Sequence, residues 1–332
     1  MSYYKENAIR ILEKLDEIKK DLPEFCDKFF LGISQTTAPN TRMNYALDLR
    51  IFFKYLTDHV AEFSNMIFTV ADLEDVTVFH VEGYAEFLTK AYGNGPATIE
   101  RRLSSLRAFF KYFVMRDEIK NNVGTKIQLP KLNKKPIVRL EGKEPTTLLQ
   151  VASEGEGLSD IQKKYHKFTS LRDTTIVVYF LTTGLRVSEL VGLDVKDLDM
   201  KAGRFRVTRK GGNQEILYMP PELKEQLELF LTGSLDGDGG PLFLSMQKKR
   251  MTVRAVQYVI EKYGNQVARL KNISPHKLRS TFGTNLYRET GDIFMVANVL
   301  GHEDVNTTKK HYAAIDEDIK KEAAKRVKID QR

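Results

Sequence analysis

The chain has 332 residues, of which 42% are hydrophobic and 29% charged, and its 52 Lys and Arg against 44 Asp and Glu give a formal net charge of +8. This is the balance of a folded protein with enough apolar residues for a sizeable core, and it excludes disordered, collagen-like and fibrous classes. At about 100–200 residues per domain the length predicts two domains, and the positive excess favours a polyanionic partner. No run of about 18 apolar residues occurs, so no transmembrane helix and no membrane partner are expected. The opening Met1-Ser2-Tyr3-Tyr4-Lys5-Glu6 is not an apolar signal segment. Cys26 is the single cysteine and cannot form an internal disulfide, so a reducing cytoplasm is the expected compartment.

The first third is predicted helical. Ile9, Leu12, Leu15 and Ile18 recur at helical spacing, and a second helix runs from about Thr41 with Tyr45, Leu49, Phe52, Phe53 and Leu56 on one face. A third follows Thr77 and carries Val81, Tyr84, Phe87 and Leu88. A fourth follows the breaker cluster Gly93-Asn94-Gly95-Pro96 and carries Ile99, Leu103, Leu106, Phe109, Phe110 and Phe113. Their i, i+3, i+4 spacing predicts core packing rather than base stacking. Arg101, Arg102, Arg107 and Lys111 occupy the other positions of this helix, either as a solvated face or as a stripe facing phosphates.

From Lys126 to Arg139 the periodicity stops. This stretch holds Lys126, Lys131, Lys134, Lys135 and Arg139, with Pro130 and Pro136 and no acidic residue. It reads as a basic extended linker, of the kind that lets two folded halves wrap a rod-like anion. The expected organisation is a helical DNA-binding domain over 1–125, a linker over 126–145 and a second domain over 146–332.

In the second domain, Thr174 to Thr183 reads as a nearly all-apolar helix. Arg204–Arg209, the turn Lys210-Gly211-Gly212-Asn213 and Glu215–Met219 read as a β-hairpin, with Val195–Met200 as a third strand. Helices are predicted near 222–232, 252–268, 275–289, 292–300, 304–312 and 316–328. The fold class is therefore mainly α with a small antiparallel β-sheet.

Four segments place polar residues at helix starts or at a turn. They are TTGLRVSEL over 182–190, the hairpin tip Arg209-Lys210-Gly211-Gly212, PHKLR over 275–279, and Leu300-Gly301-His302 followed by Thr307-Thr308-Lys309-Lys310-His311-Tyr312. One helical turn puts His276 and Arg279 on the same face. Each piece alone is common. Together, two arginines, a lysine, two histidines and a tyrosine make a cationic pocket with one nucleophile and no matching carboxylates. That set suits a phosphodiester, because attack on phosphorus adds negative charge to equatorial oxygens that guanidiniums bind bidentately. Tyrosine ionises near pH 10, so neighbouring cations must favour its phenolate, and a lysine on a turn can protonate the leaving oxygen. The motif segments hold no clustered Asp and Glu ligands and no GxxxxGK[ST] loop. No metal and no cofactor are expected.

In this order the segments resemble the Arg, Lys, His-x-x-Arg, His, Tyr pattern of the tyrosine recombinase (phage integrase) family. The resemblance spans essentially the whole chain and is nearest to its Xer-type members. It implies a helical SAM-like core-binding domain, with NTRMNYALDLRIFFKYL and TIERRLSSLRAFFKYF, and an α+β catalytic domain, the two forming a C-shaped clamp around DNA. It further implies that Arg186 and Arg279 clamp the scissile phosphate, Lys210 is the general acid, and His276 and His302 bind phosphate and assist proton transfer. Tyr312 is then the nucleophile and Glu189 orients Arg186. Tyr312 stands ten positions after His302 where the family usually has nine, and Ser280 stands where the family often has histidine.

DNA contacts are expected from Arg101, Arg102, Arg107, Lys134 and Lys135. Ile315, Ile319, Ala323 and Val327, spaced by four, mark a tail helix that either folds back on its own domain or docks on a neighbouring protomer. The partners implied are double-stranded DNA with an inverted-repeat core site, a homo-tetramer on synapsed DNA, and an accessory or directionality protein, with the enzyme at the nucleoid. The competing readings are an accessory DNA-binding protein of the same fold and a type IB topoisomerase-like nicking-closing enzyme.

Overall fold

The structure, a computed structural model, describes residues 3–131, 137–234 and 239–301. The chain divides into two compact units, Met1–Lys135 and Pro136–Arg332. The first is helical: α1 (Tyr3–Lys19), α2 (Cys26–Gly32), α3 (Pro39–His59), α4 (Val78–Tyr92), α5 (Pro96–Val114) and the short α6 (Val123–Lys126). Thr77 opens α4 with a capping box shared with His80, and Gly93 closes it in the left-handed region. Pro96 starts α5 at its first turn, where the absent N–H costs nothing.

The core of this unit is aromatic. Phe29, Phe52, Phe109, Phe110, Phe113 and Tyr84 are fully buried, and Phe109 meets Phe29 and Phe53 edge-on at ring-centroid distances of 5.3 and 6.0 Å. Edge-to-face contact sets the positive rim of one ring against the negative face of the next. The apolar face of α5 is therefore core. Helix α2 is not marked by the periodicity, because its seven residues span only two turns, yet it contributes Cys26, Phe29 and Phe30 to that core.

The second unit is built on α8 (Asp160–Thr183), which packs against α7 (Glu144–Glu154) and α10 (Pro221–Ser234), and against α12 (Pro275–Thr290). The apolar run from Thr174 is only its second half. Ser159 caps the helix from Gln162 and starts it a full fourteen residues earlier, along a largely polar first half. Ile176 to Phe180 are buried on every side, which is why the run lacks an amphipathic period. Helix α7 also goes unmarked in the sequence reading; Pro145 sits in its first turn and Leu148, Val151 and Ala152 are buried.

The three strands are β1 (Leu198–Asp199), β2 (Arg204–Thr208) and β3 (Gln214–Tyr218), antiparallel in the order β1-β2-β3. Phe205 and Val207 alternate inward from β2, and Phe205 meets Tyr179 of α8 at 5.5 Å. The expected third strand shrinks to two residues. Asp194 and Asp197 close a 3-10 turn over Val195–Asp197 by mutual capping, which consumes the start of the strand. Helices α9 (Val187–Val191), α11 (Val253–Val267) and α13 (Ile293–Leu300) complete the described unit. The predicted helices 304–312 and 316–328 lie outside the described residues. No helix among the described residues is long and apolar enough to cross a membrane.

Candidate functional site

The site in the second unit grows from two left-handed helix ends. Gly184 closes α8 with φ of 62°, and Gly301 closes α13 with φ of 61°. A Cβ at Gly184 would come within 2.4 Å of Phe282 and 2.9 Å of Leu300, so the end of α8 and the end of α13 pack without room for a side chain. Arg186 follows as the N-cap of α9, and the fully buried Glu189 reaches back to its backbone N–H at 2.9 Å. The same carboxylate accepts from the Arg186 guanidinium at 2.8 Å.

The last carbonyls of α13 have no partner inside their own helix. Three arginines supply it. Arg209 donates to the Val299 carbonyl at 3.0 Å, Arg279 to the Leu300 carbonyl, and Arg186 to the Gly301 carbonyl at 3.0 Å. Arg279, itself buried, also donates to the Gly184 carbonyl at 2.7 Å and so ties both helix ends together. Positive groups at a helix C-terminus are further favoured by its dipole. The result is a cluster of fixed guanidiniums around the turn that leads directly into His302.

The structure thus brings Arg186, Arg279 and Glu189 to one place. Lys210 sits exposed at the tip of the β2–β3 hairpin, next to Arg209. His276 is exposed on the first turn of α12, one turn before Arg279, and its carbonyl accepts from the Ser280 hydroxyl at 3.1 Å. His302, Tyr312, Lys134 and Lys135 lie outside the described residues.

In the first unit, Arg101 makes a forked pair with the buried Asp48, at 2.5 and 2.8 Å, and Ser105 donates to the same carboxylate at 2.6 Å. Arg102 lies 3.9 Å from Asp48 and over the ring of Tyr92, and Arg107 donates to the Ile127 carbonyl. Three of the four basic residues of α5, Arg101, Arg102 and Arg107, therefore make contacts within the helical unit.

Arg209 is the residue of the cluster that sequence reading passed over. In sequence it is only one residue of the hairpin tip, and no local motif announces it. Among the described residues no group of three or more His, Cys, Asp or Glu is placed to hold a metal ion.

Comparison with known proteins fits this geometry. Residues 139–318 match the model of the phage integrase family, and residues 26–117 match that of the phage integrase N-terminal SAM-like domain. The chain belongs to the phage integrase family. It is a tyrosine recombinase, a DNA strand-transferring enzyme that acts in site-specific recombination. It is 31% identical over 326 residues to a protein named tyrosine recombinase XerC from Caldanaerobacter subterraneus subsp. tengcongensis, covering 93% of this chain and 87% of that one. It is 32% identical over 257 residues to another of the same name from Thermodesulfovibrio yellowstonii, covering 75% and 80%. Among solved structures, its fold is similar to that of XerH site-specific recombinase bound to palindromic difH substrate in a post-cleavage complex. There the TM-score is 0.68 at 19% identity, covering 96% of this chain and 88% of that one.

Proposed function

We propose that this recombinase cleaves and rejoins an inverted-repeat DNA core site with Tyr312 as nucleophile, Arg186 and Arg279 on the scissile phosphate, and Lys210 as general acid. The phenolate oxygen of Tyr312 bonds to phosphorus and the bond from phosphorus to the 5′-oxygen breaks. Lys210 gives its proton to the departing oxygen. The 3′-phosphotyrosyl ester keeps the energy of the broken phosphodiester, so attack by a second 5′-hydroxyl rejoins the DNA and frees the tyrosine. His276 and His302 bind the phosphate and assist proton transfer, and Glu189 orients Arg186. The observation that carries this reading is the convergence of Arg186 and Arg279, from distant segments, on the turn that runs into His302.

The two guanidiniums are fixed before substrate arrives. Glu189 and the carbonyls of Gly184, Leu300 and Gly301 hold their planes. Electrostatic stabilisation then needs no reorganisation when charge develops on phosphorus. The working assembly is a homo-tetramer on two synapsed sites, aided by an accessory or directionality protein. Arg101, Arg102, Arg107, Lys134 and Lys135 would add backbone contacts, which position without reading sequence. The biological setting is integration and excision of a mobile element or resolution of chromosome dimers, in the cytoplasm at the nucleoid.

Covalent capture tests the proposal. Wild type and Tyr312→Phe are each incubated with fragmented DNA from the source organism, denatured and recovered, and any attached DNA is sequenced. Wild type should retain fragments that share an inverted repeat, and Tyr312→Phe should bind the same DNA while retaining none. Equal retention by the two proteins would remove Tyr312 as the nucleophile.

A further inference from the structure

The proposed chemistry uses Lys210, yet the structure invests more in its neighbour. Lys210, Gly211, Gly212 and Asn213 are all exposed, whereas Arg209 is only 8% exposed. The turn hangs from Arg209 at both ends. Its N–H donates to the Asn213 carbonyl at 2.7 Å, and its carbonyl accepts from the Gly212 N–H at 3.0 Å. Its side chain runs inward and divides three donors among three acceptors. Nε donates to Glu215 at 2.7 Å, one terminal nitrogen to Glu189 at 3.1 Å, and the other to the Val299 carbonyl at 3.0 Å. Glu189 is also the carboxylate that holds Arg186. On the far side, a Cβ at Gly301 would fall 2.9 Å from the Arg209 Nε and 3.0 Å from its Cζ, so the turn before His302 closes directly on this guanidinium.

We propose that Arg209 is a positioning residue for protonation of the leaving group. It bolts the root of the Lys210 turn to Glu189 and to the end of α13, so that the ammonium is delivered at a fixed place relative to Arg186. This inference rests on the reading of Lys210 as general acid. A lysine is a point charge on a flexible stem, and a proton donor works only within hydrogen-bond reach of its target. What an exposed turn lacks in rigidity must come from its anchor. Lysine at 209 would keep the charge but cannot present a planar fork to three acceptors in three directions. A merely structural role for Arg209 would slow every substrate alike; a positioning role slows only those that need the proton.

The test uses duplexes carrying the site recovered by covalent capture, with either the normal 5′-oxygen or a bridging 5′-sulfur at the scissile position. Sulfur leaves without a proton. Single-turnover cleavage and DNA affinity are measured for wild type, Lys210→Ala, Arg209→Lys and Glu215→Ala. Lys210→Ala should be slowed about 100- to 10,000-fold on the oxygen substrate and restored on sulfur. Arg209→Lys should be slowed at least about tenfold on oxygen, return to within about threefold of wild type on sulfur, and bind DNA as wild type does. Glu215→Ala, altered on the partly exposed strand β3, should show the same pattern to a smaller degree. If Lys210→Ala is not rescued, the general-acid reading falls and takes the inference with it. If Lys210→Ala is rescued while Arg209→Lys is slowed equally on both substrates, or cleaves oxygen at the wild-type rate, the inference alone is overturned. Should Arg209→Lys fail to fold, the same comparison on Glu215→Ala decides.

Discussion

Gly301 shows how much of the site is decided by one residue. It needs a positive φ, and its Cα faces the Arg209 guanidinium so closely that a methyl group would displace it. Gly301→Ala should cost about 1–2 kcal/mol from the backbone conformation alone, read as a lower thermal midpoint, and should slow cleavage by displacing the Arg209 guanidinium. Cys26 behaves in the opposite way, as an inert packing residue. It is buried, and burial pushes its thiol well above the ordinary range, so its nucleophilic thiolate is scarce. A thiol reagent should leave native protein unmodified and titrate one thiol after denaturation; rapid reaction of the native protein would contradict this packing. Arg186 and Arg279 were legible in sequence because each sits in a short motif of its own. Arg209 was not, because two of its partners, Glu189 and Val299, lie 20 and 90 residues away and only folding brings them together.

At the scale of elements, periodicity found the helices whose faces are half apolar and lost those that break this pattern. The start of α8 is polar and is set by the Ser159–Gln162 cap rather than by hydrophobic spacing, and β1 is cut short by capping between two aspartates. The hairpin was legible because Phe205 and Val207 alternate with exposed neighbours. A carboxylate also joins elements in the first unit. Glu74, in a 3-10 turn over Ala71–Glu74, accepts from the backbone N–H groups of Lys120 and Asn121 beyond α5, which hold its carboxyl below the usual range. A depressed folded-state value means that the stabilisation is present above the unfolded carboxylate value of 4.5 and is lost as pH falls through the folded one. Glu74→Gln should therefore destabilise the protein at neutral pH and by less at a pH below 4.5, as measured by denaturant unfolding. An equal difference at both values would contradict the linkage.

At the scale of the whole molecule, the division into two units and the net charge of +8 suit a protein that binds a polyanion. The charge is spread over many local ion pairs, among them those that Arg101 and Arg102 of α5 make. Arg101 and Arg102 lie against Asp48, a residue 53 positions from Arg101 that no reading of α5 alone would supply. DNA affinity should still fall steeply with salt, by roughly 0.9 in the log–log slope for each phosphate neutralised. A flat dependence would contradict DNA binding through phosphates.

The proposed chemistry stands on a covalent bond from Tyr312 to DNA. The most direct measurement is mass spectrometry of the captured protein–DNA adduct after digestion of both components. The peptide containing Tyr312 should carry a nucleotide attached through a 3′-phosphate, and none should be found in Tyr312→Phe. Attachment to any other residue, or an adduct that survives Tyr312→Phe, would contradict it.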